Sequence, residues 1–398
     1  MVPNSPLVEE YSRKLESKLV WIFKFAGYLR FATKNGELVR KKASTSVLRC
    51  FITALLCNSS AVYVLYITYV KADYLILSEV GTVILFAVLQ TCVLINIAGP
   101  NRNSGLILLK HCIKIDTILG GNETKFMREV VYKTYAFFTM IITVYQTIIG
   151  ILVLLAYETT FVVYVVGTIY FTLLFLIFND YCFLLTFYVF LALRVHYLNV
   201  AIIKRTGLSA EVFPKQFLFN GILWREEFDD LVTFHSFAAT EEYVEAFKMI
   251  FKLLRQVEKC FRFTIFMGMS SVIIGNFLGV PAIIDLKNGY KDFSALRLVC
   301  VISWIILGWM YESFVSQQID LFCRQIDKTK LLCTYVQLKP SSSDDILKLT
   351  GSILHTLEIR ETQLTVYGMY FFNTSLVLRT AASIFVYITV QLQVLIFV

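Results

Sequence analysis

Seven stretches of this chain are apolar for long enough to cross a lipid bilayer, and nothing else in the sequence restricts its fold as much. A helix needs about 20 apolar residues to span about 30 Å of hydrocarbon. Six runs meet that need outright: 47–70, 74–98, 133–156, 160–193, 263–284 and 296–316. A seventh, 366–398, carries one interior charge, Arg379. The fourth run has 34 residues and would measure about 51 Å as a helix, so it should project beyond the membrane. Composition agrees: 57% of the residues are apolar, 15% aromatic and only 17% charged. A soluble domain averages about 25% charged residues. A soluble enzyme, a disordered chain and a coiled coil are excluded. Nine cysteines, thinly spread and mostly in apolar runs, exclude a disulfide scaffold.

The formal charge of +8 would point to nucleic acid if the cations were clustered on a soluble surface. They sort instead by side of the membrane. With the N-terminus inside, segments 1–46, 99–132, 194–262 and 317–365 hold thirty of the 37 Lys and Arg. The external loops 71–73, 157–159 and 285–295 hold three, and Arg49, Lys133, Arg297 and Arg379 fall within the spans. The positive-inside rule then puts the N-terminus in the cytoplasm. Residues 1–46 contain no cleavable apolar core, which agrees. Seven spans leave the C-terminus outside, the reverse of a G-protein-coupled receptor. The basic balance is membrane topology, and no nucleic-acid partner is expected. Three sequons, at Asn58, Asn122 and Asn373, lie in spans or in an inner loop and read as chance matches.

The expected fold is therefore an all-α membrane protein. An N-terminal segment (1–46) precedes transmembrane helices one to four (47–193). A cytoplasmic amphipathic loop (194–262) leads to helices five and six (263–316). A helical anchor (317–365) leads to a final helix (366–398). In 240–262, Val244, Phe247, Phe251, Leu254, Val257 and Phe261 recur every three or four residues, which makes an amphipathic helix running into span five. Ile346, Leu349, Ile353, Leu357 and Leu364 form a second stripe after the breaker Pro340-Ser341-Ser342-Ser343. These faces pack either within their own chain or against neighbouring subunits. Gly275 and Gly279 form a GxxxG, read as ordinary packing within the chain.

Chemistry is sparse. Nucleophile-elbow, zinc-protease and P-loop patterns are absent, and Asn179-Asp180-Tyr181 has no second membrane Asp to make a dyad. His111, His196, His235 and His355 have no partner at metal-ligand spacing and read as solvated. No catalytic residue, metal or cofactor is expected, and the chain is not read as an enzyme. Among ionisable residues in the spans, Asp180 and Glu312 lie near inner ends and Glu79 near an outer end. Arg379 marks either a break between a cytoplasmic and a membrane half of the last segment, or a partner for a buried acid.

The last segment runs Tyr367-Gly368-Met369-Tyr370-Phe371-Phe372-Asn373 and then, past Arg379, Val386-Tyr387-Ile388-Thr389-Val390-Gln391-Leu392-Gln393-Val394. This resembles the C-terminal signature of the insect gustatory receptors: a Gly-x-Phe-like stretch, then Thr-Tyr, five mainly apolar residues, Gln and Phe. Tyr387 and Gln393 stand at the matching separation. Val386 replaces the Thr, Val394 the Phe, and Gln391 puts a polar residue in the apolar stretch. The resemblance implies a ligand-gated, non-selective cation channel in the plasma membrane, a homotetramer or a heterotetramer with related receptors. Final helices from four chains would line one pore, with Gln393 and Val394 at the constriction and Tyr387 and Gln391 beside them. Apolar side chains would gate by dewetting, and amides would substitute for ion hydration. For Gln393 the other reading is an interhelical hydrogen bond. The ligand would be a small-molecule tastant in an outer-facing pocket, for which the candidates are Glu79, Tyr145, Gln146, Tyr164, Tyr170, Asn276 and Trp304. Few outer carboxylates favour bitter plant compounds over sugars. The alternatives are an odorant receptor of the same superfamily and a membrane transporter.

Overall fold

A computed structural model describes residues 32–34, 37–39, 43–72, 77–99, 104–120, 124–156, 161–206, 240–287, 295–339, 343–359 and 363–397. A short hairpin, β1 (Ala32–Lys34) with β2 (Glu37–Val39), comes first. Then follow α1 (Ala43–Ala72), α2 (Leu77–Ala98), α3 (Ser104–Ile118), α4 (Thr124–Ala156), α5 (Phe161–Thr206), α6 (Thr240–Lys287), α7 (Ala295–Leu338) and α8 (Asp344–Glu358). The chain ends in the antiparallel pair β3 (Thr365–Val366) and β4 (Tyr370–Phe371), and α9 (Thr374–Phe397). Among the described residues, Asp180–Thr206, Glu241–Phe277 and Thr374–Gln391 are long and apolar enough to cross a membrane.

Helices α6 and α7, of 48 and 44 residues, each join an apolar half to a polar one, and the 46-residue α5 is apolar over most of its length. At 1.5 Å per residue each is about 65–70 Å long, longer than the about 51 Å expected of the fourth apolar run. The core is continuous where the C-terminal half of α5, the N-terminal half of α6 and the C-terminal half of α7 meet α3 and α8. Leu198, Phe247, Phe322 and Ile353 are fully buried there. Both amphipathic stripes close inside the chain: Phe247, Phe251, Leu254, Val257 and Phe261 of α6, and Leu349, Ile353 and Leu357 of α8, are all buried. Of the two readings of these faces, packing within the chain is the one realised. Apolar side chains left on the outside of this region are different ones: Leu331, Tyr335 and Leu338 on α7, and Ile359.

Residues 366–373 differ from expectation: they do not begin the last helix. Tyr367 and Gly368 take left-handed φ values of 52° and 69°, the pair of positive angles that a tight hairpin turn needs. The Met369 N–H donates to the Val366 carbonyl and the Phe372 N–H to that of Leu364. Helix α9 then starts at a defined cap. Asn373 Oδ1 accepts from the Leu376 N–H (2.8 Å), and Asp320 Oδ2 of α7 accepts from the Thr374 N–H (3.1 Å). The sequon at Asn373 is thus a helix cap. The break in the last segment falls before Arg379, which is exposed in the second turn of an uninterrupted helix.

Two further expectations need correction. A Cβ at Gly275 would meet nothing within 4 Å, so this half of the GxxxG brings no neighbouring helix close. His196 is half-buried, beside Gln325 and Lys328 of α7, rather than solvated. The four-residue periodicity that exposes one helix face does not say how far a neighbouring 44-residue helix covers it. None of the eight described cysteines is in a disulfide.

Candidate functional site

Helix α9 has two unlike faces. Val377 and Ile384 are buried against α6 and α7, whereas Ala382, Phe385, Val386, Thr389, Val390 and Gln393 are all exposed. Phe385 and Val386 are 71% and 60% exposed. A row such as 382–386–389–393, spaced four, three and four, is one stripe along a helix. This apolar stripe, ending in an amide, lies on the side turned away from the rest of the chain.

The four residues singled out on this helix do not share that stripe. A helix turns about 100° per residue, so Gln391 stands about 160° from Gln393. Gln391 is half-buried on the intrachain side. Tyr387 packs edge-on against Phe277 of α6, with ring centroids 4.4 Å apart. Gln393 alone of the four is seen on the free stripe. The side chain of Val394 lies outside the described residues.

Among the ligand candidates, Tyr145 of α4 donates to the Ser303 carbonyl of α7 (2.9 Å), which commits its hydroxyl proton to helix packing. Its ring lines a narrow, almost wholly apolar cavity of about 20 Å3 between α4, α5 and α7, with Phe138, Tyr181, Leu185, Tyr311 and Phe314. Asn276, buried on α6, donates to its own helix at the Val272 carbonyl (2.6 Å) and accepts from Trp309 Nε1 of α7 (3.4 Å). Its amide is an interhelical fastener. Tyr145 and Asn276 therefore sit at different helix contacts and line no common cavity among the described residues. The side chains of Glu79, Gln146, Tyr164, Tyr170 and Trp304 lie outside the described residues.

Sequence reasoning passed over two clusters. Asp116 of α3, Arg128 of α4 and Arg194 of α5 form a buried ion group. Arg194 Nε and Nη2 donate to Asp116 Oδ1 (3.1 and 3.0 Å), Nη2 also reaches Oδ2 (3.1 Å), and Arg128 Nη1 lies 3.7 Å from Oδ2. Asp116 and Arg194 are fully buried, and the Arg194 guanidinium lies 3.7 Å from the Phe190 ring centroid. One signal was available: Arg194 closes a 34-residue apolar run, where a lone charge needs a partner. The second cluster surrounds Glu312. Tyr181 Oη lies 3.0 Å from the Thr264 carbonyl and 3.3 Å from Glu312 Oε1, and Thr264 Oγ1 donates to Asp180 Oδ2 (3.1 Å). The described residues contain no group of three His, Cys, Asp or Glu side chains placed to hold a metal ion.

This architecture is the fold of an insect olfactory receptor: long helices crossing from an apolar bundle into a polar one, with a hairpin-linked last helix on the outside. The structure of OR5 from the insect Machilis hrabei matches at a TM-score of 0.60 and 12% identity, over 97% of this chain and 99% of that one. The same receptor in complex with eugenol matches at 0.63, with the same identity and coverage. No protein-family model matches the sequence, and no curated protein does.

Proposed function

We propose that this chain is one subunit of a ligand-gated cation channel of the insect chemoreceptor type, embedded in the plasma membrane and opened by a small organic molecule. The observation that carries the reading is the free stripe of α9. A helix that turns Ala382, Val386, Thr389 and Gln393 away from its own subunit has an apolar wall with a hydroxyl and an amide, suited to a water-filled path shared between copies. The near-complete fold match to OR5 supports the same assignment, and four subunits around one axis is the arrangement we infer. Exposed Leu331, Tyr335, Leu338 and Ile359 would meet neighbouring chains in the cytoplasmic half.

Two readings of the stimulus remain open, each with its own support. The spacing of Tyr387 and Gln393 favours a tastant, and the scarcity of outer carboxylates puts bitter compounds ahead of sugars. The olfactory fold neighbours favour an odorant, and OR5 itself has been captured with eugenol. Expression of the chain alone in a heterologous cell, with calcium entry scored against bitter and volatile panels, separates them. Single cysteines introduced along α9 test the pore. Thiol-reactive cations should block current through Thr389→Cys and Gln393→Cys but spare Ile384→Cys. Block at every position alike, or at none, refutes the pore-lining role. An epitope added after Val398 should be labelled on intact cells, and its protection from antibody would reverse the topology.

A further inference from the structure

We propose that Arg379 stands in the ion path itself, where its copies from four subunits form a ring of positive charge at the cytoplasmic mouth and hinder cations leaving the cell, divalent ions most. The inference rests on the pore reading of α9 and adds a charged element to it. Ser375, Arg379, Ala382, Val386, Thr389 and Gln393 are all exposed, and their spacing is four, three, four, three and four. At about 100° per residue, all six lie within about 40° of one line along the helix. Buried Val377 and Ile384 lie on the other side, about 140–160° round the helix from Arg379. The free stripe therefore begins inside the first turn of α9 and carries one permanent charge.

A guanidinium stays charged at every pH a cell meets, and hydrocarbon is an expensive place for it. Arg379 belongs to the apolar span Thr374–Gln391. Beside it lies an open groove of about 280 Å3, walled by Ile273 and Phe277 of α6 and by Thr380, Ser383 and Ile384 of α9. Ile273 and Phe277 stand in the middle of the apolar run 263–284, so the groove is at membrane depth. Among the described residues, no acidic side chain pairs with Arg379. Its charge is then met by water or by an anion from outside the chain. The groove is poorly made for an anion. The Thr380 hydroxyl donates to the Leu376 carbonyl (2.9 Å) and the Ser383 hydroxyl to the Arg379 carbonyl (3.0 Å), so both turn only lone pairs outward. Water is the better partner, and the stripe facing the shared path is where this helix meets water.

Position decides what such a ring does. Fourteen residues, about 21 Å of helix, separate Arg379 from Gln393. Salt at about 0.15 M screens charge over about 8 Å, so the ring leaves the outer constriction untouched and acts on the inner approach. Four unit charges, each about 7 Å from the axis in water and screened over about 8 Å, lower the concentration of a monovalent cation at the mouth about fivefold. The work on an ion scales with its charge, so a divalent cation is depleted by the square of that factor, about 25-fold. Cations arriving from outside have already passed Gln393 when they reach the ring. Current into the cell is accordingly favoured over current out of it.

The test reads spontaneous single-channel openings in inside-out patches from cells expressing the full chain alone, with about 0.15 M NaCl on both sides. Arg379→Gln should raise the outward unitary current about fivefold and leave the inward current nearly unchanged, whereas Arg379→Lys should rectify like wild type. A tenfold rise in salt on both sides should shrink the difference between Arg379→Gln and wild type. If Arg379→Gln does not reach the surface, Arg379→Cys decides: a cationic thiol reagent applied from the cytoplasmic side should restore rectification and an anionic one reverse it. If no openings occur, Arg379→Cys in the purified full-length chain in lipid nanodiscs decides. A charged thiol reagent should label it, with the site read by mass spectrometry, and should spare Leu55→Cys, exposed on α1. Equal outward currents in wild type and Arg379→Gln overturn the ring, and so does an unlabelled Arg379→Cys. If Thr389→Cys and Gln393→Cys are still blocked by thiol-reactive cations in that case, the pore reading of α9 survives without the ring. If they are not, the pore reading itself has failed.

Discussion

Replacing Asp116 with Asn should be among the most damaging single-atom exchanges in this protein. The Asp116 carboxylate accepts three hydrogen bonds from Arg194 and sits 3.7 Å from Arg128, with no solvent contact. An amide keeps the volume, removes the charge, and turns an N–H₂ group toward a guanidinium. Two cations are then left buried against one neutral residue. Removing one partner of a buried ion pair costs about 3–5 kcal/mol, so about 4 kcal/mol is expected here. Unfolding entropy of about 2.1 cal/mol/K per residue over 398 residues converts this to a fall in melting temperature of about 5 °C. Fluorescence-detected size-exclusion chromatography after heating, in detergent, measures that shift. Arg128→Met should cost far less, because Asp116 and Arg194 stay together as a neutral pair. Exchanging all three for Leu or Met should recover most of the loss, since apolar side chains of similar volume replace buried ion groups at little cost. The reasoning fails if Asp116→Asn melts within about 1 °C of wild type, or if the triple apolar variant is the least stable of the set.

Two glycines of α6, seven residues apart, should behave oppositely. Gly268→Ala drives a methyl into the Tyr181 hydroxyl and should cost about 2 kcal/mol, whereas Gly275→Ala meets nothing and should be neutral or slightly stabilising in the same thermal assay. Asn199→Ala removes the bond from Asn199 Nδ2 to the Gln325 carbonyl (3.1 Å) and the acceptor for Thr329 Oγ1 (2.7 Å), which join α5 to α7. A loss of about 1–2 kcal/mol is expected, limited because Thr329 can still donate to Gln325, and an unchanged melting curve would sink it. Burial pushes the Cys333 thiol up to about 12, so maleimide at neutral pH should label it only after denaturation. The sign follows: an unfolded thiol titrates near about 8.5, so this group's contribution to stability is whole below that pH and declines as the pH rises toward 12. Labelling of the native protein at Cys333 would contradict the burial.

Much of the architecture was legible from apolar run length alone. A 34-residue apolar run is longer than a crossing needs, and α5 is a single helix of 46 residues; the three-and-four spacing from Val244 to Phe261 has to be helical, and α6 is. The hairpin was not legible in the same way, because Tyr367-Gly368-Met369-Tyr370-Phe371 is aromatic and apolar like the helix that follows it. Only the left-handed angles at Tyr367 and Gly368, and the cap supplied by Asp320 from 54 residues upstream, reveal where α9 begins. The site divides similarly. Gln393 was singled out by its separation from Tyr387, yet the split between Gln393 on the free stripe and Gln391 on the packed side depends on which neighbours α9 touches.

What the amino-acid order determined by itself is the class of solvent each segment must meet. Hydrophobicity and charge act residue by residue, and their sum along the chain decides whether a stretch prefers hydrocarbon or water. Tertiary structure alone decided which polar groups find each other. Asp116 and Arg194 are 78 residues apart, and Tyr181 and Glu312 are 131 apart. No local pattern encodes such pairings, because a buried charge is satisfied by whichever partner the packing of neighbouring helices brings within 3 Å.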